Sequence, residues 1–297
     1  MKAPCHTARL LPSPWPEIHR THILSERSFP RHWHATYGVG VIEAGGHRSA
    51  SGRGPVDAVR GDLITTVPGE VHDGHPIDGQ ARRWQMVYLE PTMFERLAGD
   101  ISGRPEVEVG FSAPVIDDAR VRRALQRLFR RMDAWQEHSF GDGAVGHATQ
   151  PWTERCPSRR FLVEPLACDE ALIDFCVQLV ERHVGCRPTP IGSGAMRRVR
   201  ERLADDVSNP PSLAELAALS GLSRYQVLRR FEREYGLPPH AWLMQQRLER
   251  ARRWIRAGSG LADAAVRSGF ADQSHMTRDF ARTFGYTPGA WRASAVR

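Results

Sequence analysis

Leu213-Ala-Glu-Leu-Ala-Ala-Leu-Ser-Gly-Leu-Ser223 runs into Arg224 to Phe231 and then meets Gly236, Pro239, Ala241 and Trp242. The same order returns as Leu261-Ala-Asp-Ala-Ala-Val-Arg-Ser-Gly-Phe-Ala-Asp272, then Gln273 to Phe280, Gly285, Pro288, Ala290 and Trp291. Each copy reads as a short helix, a tight turn at glycine, a second helix opened by a capping residue, and a Gly-x-x-Pro stop. That is a helix-turn-helix, and two in tandem imply two successive major-groove contacts.

The residues of each unit sort by helical spacing. Ser212 with Glu215 three residues on has the spacing of a capping box. Leu213, Leu216, Ala217 and Leu219 are expected on the buried face of the first helix, Gly221 in the turn, and Ser223 as cap of the second helix. Within that helix Val227 and Phe231 point inward, and Arg224, Tyr225, Leu228 and Arg229 outward. Arg229 suits guanine, while Tyr225 and Leu228 suit thymine methyls. Aligning Phe280 with Phe231 puts Gln273, Ser274, Thr277 and Arg278 at the matching outward positions, Met276 in the core, and Asp272 at the cap. Gln273 suits adenine and Arg278 guanine. Ala241 to Ala257 is expected as a connecting helix about 25 Å long at ~1.5 Å per residue. Trp242 and Trp291, at equivalent places in the repeat, read as core wedges rather than base-stacking platforms.

Charge follows the repeat. The 297-residue chain has a net charge of +7, yet residues 196–297 hold 18 arginines against 10 acidic residues, so the whole positive excess lies there. An excess of that kind attracts phosphates. No stretch approaches the ~20 apolar residues of a membrane span. The start of the chain, broken by Pro4, Pro12, Pro14 and Pro16, lacks the apolar core of a signal peptide. Five cysteines with no Cys-x-x-Cys pair fit a reducing cytoplasm and neither a disulfide framework nor a zinc finger.

Residues 20–115 have β character. Runs such as Tyr37–Ile42, Asp62–Val67 and Trp84–Leu89 are separated by Gly, Pro and Asp clusters, which suggests a sandwich or barrel. From Asp117 the period becomes helical. Asp118 is placed to cap a helix carrying Val121, Leu125, Leu128, Phe129 and Met132. A second helix is expected over 164–183 with Leu166, Ile173, Phe175, Leu179 and Val180. These helices either cover the β part or pair across a homodimer, and the periodicity leaves both open. Ser139 to Ser158 reads as a loop. The expected division is residues 1–184, a linker at 185–195, and 196–297.

These residues carry a resemblance. The segment from Met196 to Ser294 resembles the AraC/XylS family of bacterial transcription regulators, above all in Ser268-Gly269-Phe270, Ser274, Phe280, Phe284-Gly285-Tyr286-Thr287-Pro288 and Trp291-Arg292. The resemblance implies promoter DNA and RNA polymerase as partners. Its base contacts fall on Tyr225, Leu228 and Arg229, then Ser274, Thr277 and Arg278. Leu228 stands where the family often has a polar residue. The stretch Phe29-Pro-Arg-His-Trp-His34 with Gly61-Asp-Leu63 and Pro68-Gly-Glu-Val-His72 resembles the family's cupin-like effector domain. The implied fold class is therefore α+β in two domains. An N-terminal cupin-like β-barrel with following helices precedes an all-α domain of two helix-turn-helix units joined by a helix. The implied function is sequence-specific regulation of transcription under a small-molecule effector. Candidate effector-binding residues are His34, Tyr37, Glu70, His72 and Tyr88, with Trp84 read as core.

An alternative is a metal-dependent cupin enzyme fused to a DNA-tethering module. His32, His34, Glu70 and His72 have the donor types for it. Such enzymes carry a glutamate a few residues beyond His-x-His, whereas here Ala35 to Val39 follow and the next glutamate is Glu43. No cofactor, catalytic residue or metal is assigned on this reading.

Overall fold

The computed structural model describes residues 5–104, 109–140, 165–186 and 194–295. The N-terminal half is built on ten main strands: β1 (His6–Leu11), β2 (Ile18–Ser25), β3 (Phe29–His32), β4 (Tyr37–Ala44), β5 (His47–Ser51), β6 (Gly54–Ala58), β7 (Leu63–Thr66), β8 (His72–Pro76), β9 (Arg82–Leu89) and, after helix α1 (Pro91–Ser102) and the short β10 (Val109–Phe111), β11 (Val115–Ile116). They form two antiparallel sheets, in the orders β1-β2-β9-β4-β7-β11 and β3-β8-β5-β6. Strand periodicity gives the larger sheet two different faces. Val39, Val41, Val87 and Leu89 look to one side, where they join Phe94 of α1 in a core shared with α2 (Ala119–Phe140) and α3 (Pro165–His183). Ile23, Ile42, Trp84, Met86 and Tyr88 look to the other side, toward the smaller sheet.

Among the elements not anticipated, β1 lies in the proline-broken start of the chain and α1 lies inside the segment read as having β character. Helices α2 and α3 cover the barrel, and Asp118 caps α2 by accepting from the backbone N–H groups of Arg120 (2.8 Å) and Val121 (3.3 Å). α2 continues through Phe140, past the expected start of the loop. The rest of that loop, from residue 141 on, lies outside the described residues, as do 187–193 of the expected linker. Its first residues belong instead to β12 (Val184–Cys186), which pairs with β10. Leu166 and Ile173 are exposed rather than part of the α3 core; Leu172 and Cys176 take the inward positions.

The C-terminal half is helical: α4 (Gly194–Asp205), α5 (Leu213–Ser220), α6 (Arg224–Tyr235), α7 (Pro239–Arg256), α8 (Leu261–Arg267), α9 (Gln273–Phe284) and α10 (Pro288–Ala295). Ser212 and Ser223 each complete a capping box, with Glu215 and Gln226. Asp272 caps α9 by accepting from His275 N–H at 2.7 Å. The turn between α8 and α9 demands glycine twice over: Gly269 has φ +84°, and a Cβ there would stand 2.6 Å from the Val207 carbonyl oxygen. One core gathers Met196, Val199, Leu216, Val227, Phe231 and Trp242; a second gathers Leu248, Ala264, Phe270, Met276, Phe280 and Trp291. α7 supplies residues to both and fixes the two units to each other. Leu219, expected on the buried face of α5, is 41% exposed, so that face is narrower than the apolar pattern suggests. Among the described residues no helix is long and apolar enough to cross a membrane.

Candidate DNA-reading surface and effector pocket

The outward faces of α6 and α9 are where the sequence places them. Arg224, Tyr225, Leu228 and Arg229 are all exposed, while Val227 and Phe231 of the same helix are fully buried. On α9, Gln273, Ser274 and Arg278 are exposed, Thr277 is half-buried, and Met276 and Phe280 are fully buried. Each helix thus anchors on an aromatic residue and presents the opposite side of its first two turns. Trp242 and Trp291 are buried, and the Trp291 indole donates to the Arg252 carbonyl at 3.0 Å, which makes both tryptophans structural.

A cavity opens between the two sheets of the barrel. Ile23, Phe29, Ile64, Trp84, Met86 and Tyr88 give it apolar walls, and His32, His34, His47, Glu70 and His72 line its polar side. Four of the five expected pocket residues are therefore brought together. Tyr37 is the exception. It opens β4 on the helix-facing side, packs against Phe94 and Phe111, and its hydroxyl lies 2.8 Å from Glu95 Oε1 and 3.0 Å from the Val109 carbonyl. Strand parity decides this: the pocket-facing positions of β4 begin at Gly38, whose missing side chain leaves room for Met86 and Tyr88. Trp84, read as core, is both core and pocket wall.

The polar side was only partly legible. His32 and His72 face each other across the β3–β8 pair, and His34 follows on the same side of the chain, giving ring-centre distances of 4.6, 4.9 and 5.3 Å. Burial, reinforced by the neighbouring imidazoles, pushes His34 well below its ordinary range and His32 down to about 3; burial also lowers His72. All three rings are uncharged near neutrality. His47 was not anticipated. Its Nδ1 accepts from buried Arg82 at 2.9 Å, and burial followed by that guanidinium lowers it to about 3. Glu70 reaches the cavity rim, but its carboxylate is held bidentately by Arg53 at 2.8 and 2.9 Å. Glu43 lies elsewhere, bound to His22 and Arg83.

The pocket also touches the DNA-reading half. Thr283 and Phe284, at the C-terminal end of α9, complete its lining. Tyr88 in the pocket stacks on His19 at 4.7 Å; His19 meets the edge of Trp291 at 4.9 Å and accepts from Arg252 at 3.1 Å. His6 bonds the Gly285 carbonyl at 2.7 Å, and Trp33 and Val71 enter the core of the first helix-turn-helix unit. No sequence signal separated Phe284 from the other aromatics of the repeat, because its contact with His34 joins residues 250 positions apart.

Residues 17–145 match the family described as AraC-like ligand binding domain, and residues 216–294 match a helix-turn-helix domain family. The chain is 26% identical over 250 residues to the HTH-type transcriptional regulator YbfI of Bacillus subtilis (strain 168), spanning 84% of this chain and 82% of that one. It is 24% identical over 275 residues to the transcriptional activator RhaS of Klebsiella pneumoniae (strain 342), spanning 89% and 88%. It is 40% identical over 87 residues to the transcriptional activator NphR of Rhodococcus sp, spanning 29% of this chain and 26% of that one. All three relatives are named as transcriptional regulators or activators. With residues 17–145 matching a ligand-binding domain family and residues 216–294 a helix-turn-helix family, the chain belongs to the AraC/XylS family of transcription regulators, DNA-binding proteins controlled by a small-molecule effector.

Proposed function

We propose that the protein reads promoter DNA through Arg224, Tyr225, Leu228 and Arg229 of α6 and Gln273, Ser274, Thr277 and Arg278 of α9, and that an effector in the barrel cavity sets how well it does so. The observation that carries this is the shared wall. Phe284 ends the second reading helix and also closes the cavity that His34, Glu70, His72 and Tyr88 line. An occupant that presses on Phe284 acts on α9 directly, which is the differential contact that coupling between two sites requires. In this reading the β domain, closed by β12 at Cys186, senses, and the helical domain from Gly194 on reads.

Exposed Leu166 and Ile173, one heptad apart on α3, favour a homodimer through that helix. The activator names of two relatives favour contact with RNA polymerase. The cytoplasm, where DNA and polymerase are, is the fitting compartment. Selection of bound duplexes from a random pool tests the reading. The expected product is a bipartite sequence with two short blocks about one helical turn apart. Affinity for it should fall steeply with salt, by about 10³-fold or more between 50 and 200 mM if six or more phosphates are contacted. Enrichment of no sequence, or of a single short block, would count against paired readers.

A further inference from the structure

The trio His32, His34 and His72 has a feature that hydrogen bonding within the cavity does not use. One ring nitrogen from each lies within 4.8 Å of those of the other two. His32 Nδ1 lies 2.7 Å from the Pro30 carbonyl and His72 Nδ1 lies 2.9 Å from the Glu70 carbonyl. A carbonyl only accepts, so both Nδ1 atoms carry the proton and both Nε2 atoms keep a lone pair. Each carbonyl belongs to the residue two positions earlier, so the tautomer is fixed locally by the strand itself. Metal-binding histidines are oriented in this way. His34 offers one further lone pair in either neutral tautomer.

The available carboxylates are engaged elsewhere. Glu70 is held by Arg53, and Asp73 Oδ1 accepts from Ala50 N–H at 2.7 Å. What remains is three imidazoles with a ring nitrogen each inside a 4.8 Å cluster, a set that suits zinc, cobalt, nickel, copper or ferrous ions and not magnesium or calcium. We propose that the cavity binds one divalent transition-metal ion on His32, His34 and His72, with its remaining coordination position open to the effector. The proposal rests on the effector-pocket reading and gives that pocket its chemistry. Three protein nitrogens would leave a tetrahedral ion one vacant position, which an anionic oxygen or nitrogen donor would match. His34 also lies against Phe284, with ring centres 6.1 Å apart, so a ring drawn onto the metal shifts the wall shared with α9.

The test uses the tag-free full-length chain, stripped with chelator and titrated with cobalt(II). The expected result is one equivalent bound with a visible ligand-field spectrum that changes on adding azide. An unchanged spectrum would overturn the open position. X-ray absorption of the zinc-loaded wild-type chain should show nitrogen ligands at about 2.0–2.1 Å. His34→Gln and His72→Gln should each weaken cobalt binding by more than the ~100-fold that loss of an outer-shell partner costs. His75→Gln, outside the trio, should leave it unchanged. Absence of a one-equivalent site in the wild type, or sulfur ligation, overturns the proposal without depending on how the variants fold. So does full binding retained by a folded His72→Gln protein. A chain that takes no metal yet still selects a DNA sequence would sink the metal site and leave the regulator standing. A chain that loads metal but selects no DNA would do the opposite.

Discussion

Arg229 and Arg278 are exposed one turn into α6 and α9, and each follows a helix face whose inward side is sealed by Phe231 or Phe280. The two kinds of residue should therefore fail in different ways. Arg229→Ala and Arg278→Ala should each relax preference at one base and cost about 1–3 kcal/mol of binding. Their folding stability should stay within roughly 0.5 kcal/mol of wild type, as for other surface positions. Phe231→Ala should instead cost about 3–5 kcal/mol of stability. Competition binding against single-base variants of the selected duplex, beside denaturant titration, separates the outcomes; equal discrimination by wild type and Arg278→Ala would remove that residue from the reading surface. The outward faces of α6 and α9 were legible because a 3.6-residue period says which side is in. On β4 the same reasoning stops short. Alternation shows that Tyr37, Val39 and Val41 share a face but not whether helices or a cavity lie beyond it, and Tyr37 proved to face the helices. His47 and Phe284 were hidden for another reason, since each joins the pocket through contacts distant in sequence.

At the scale of elements, α2 and α3 are fastened where they meet. Asp118 caps α2 and also accepts from Arg182 Nε at 2.7 Å and His183 Nε2 at 2.9 Å at the end of α3. Burial alone would raise this carboxyl, but the bonds from His183, Arg182 and the two backbone N–H groups outweigh it and hold it well below the usual carboxylate range. A folded-state value below the unfolded one means that the stabilisation is present above about pH 3.9 and is lost as pH falls below it. Asp118→Asn should therefore lower the melting temperature near neutrality and flatten the loss of stability between about pH 4 and 2. Melting curves across that range would show it, and an acid limb as steep as wild type would mean that other carboxylates govern it. The cap was readable because Asp118 stands just before an apolar 3–4 pattern. α1 was not, because its twelve residues sit between strands and its amphipathic period was overshadowed by the turn signals around it. β1 was masked by prolines on either side of a six-residue run that lacks strict alternation.

Across the whole molecule, the sensing and reading halves are joined by buried groups rather than by the linker alone. Arg252 of α7 is buried among residues of both halves: its Nη1 donates to Glu249 at 3.1 and 3.3 Å, its Nη2 to His19 of β2, and its guanidinium lies 4.3 Å from the centre of the Trp291 ring. Burial opposes its charge, and the Glu249 carboxylate more than restores it. Burial and then Arg252 itself push His19 well below its ordinary range, so the ring stays neutral and can accept. Removing the arginine leaves Glu249 buried without its partner, a change that costs about 3–5 kcal/mol. It also cuts the bond to β2. Wild type should unfold in one calorimetric transition, because Trp33, Val71 and His19 are packed into the helical half. Arg252→Ala should split that transition in two, with the helical half melting first. Arg256→Ala, whose partner Glu90 is 36% exposed, removes an ion pair worth about 1 kcal/mol or less and should leave the transition single. A single transition in Arg252→Ala at the wild-type temperature would mean that Arg252 does not hold the two halves together.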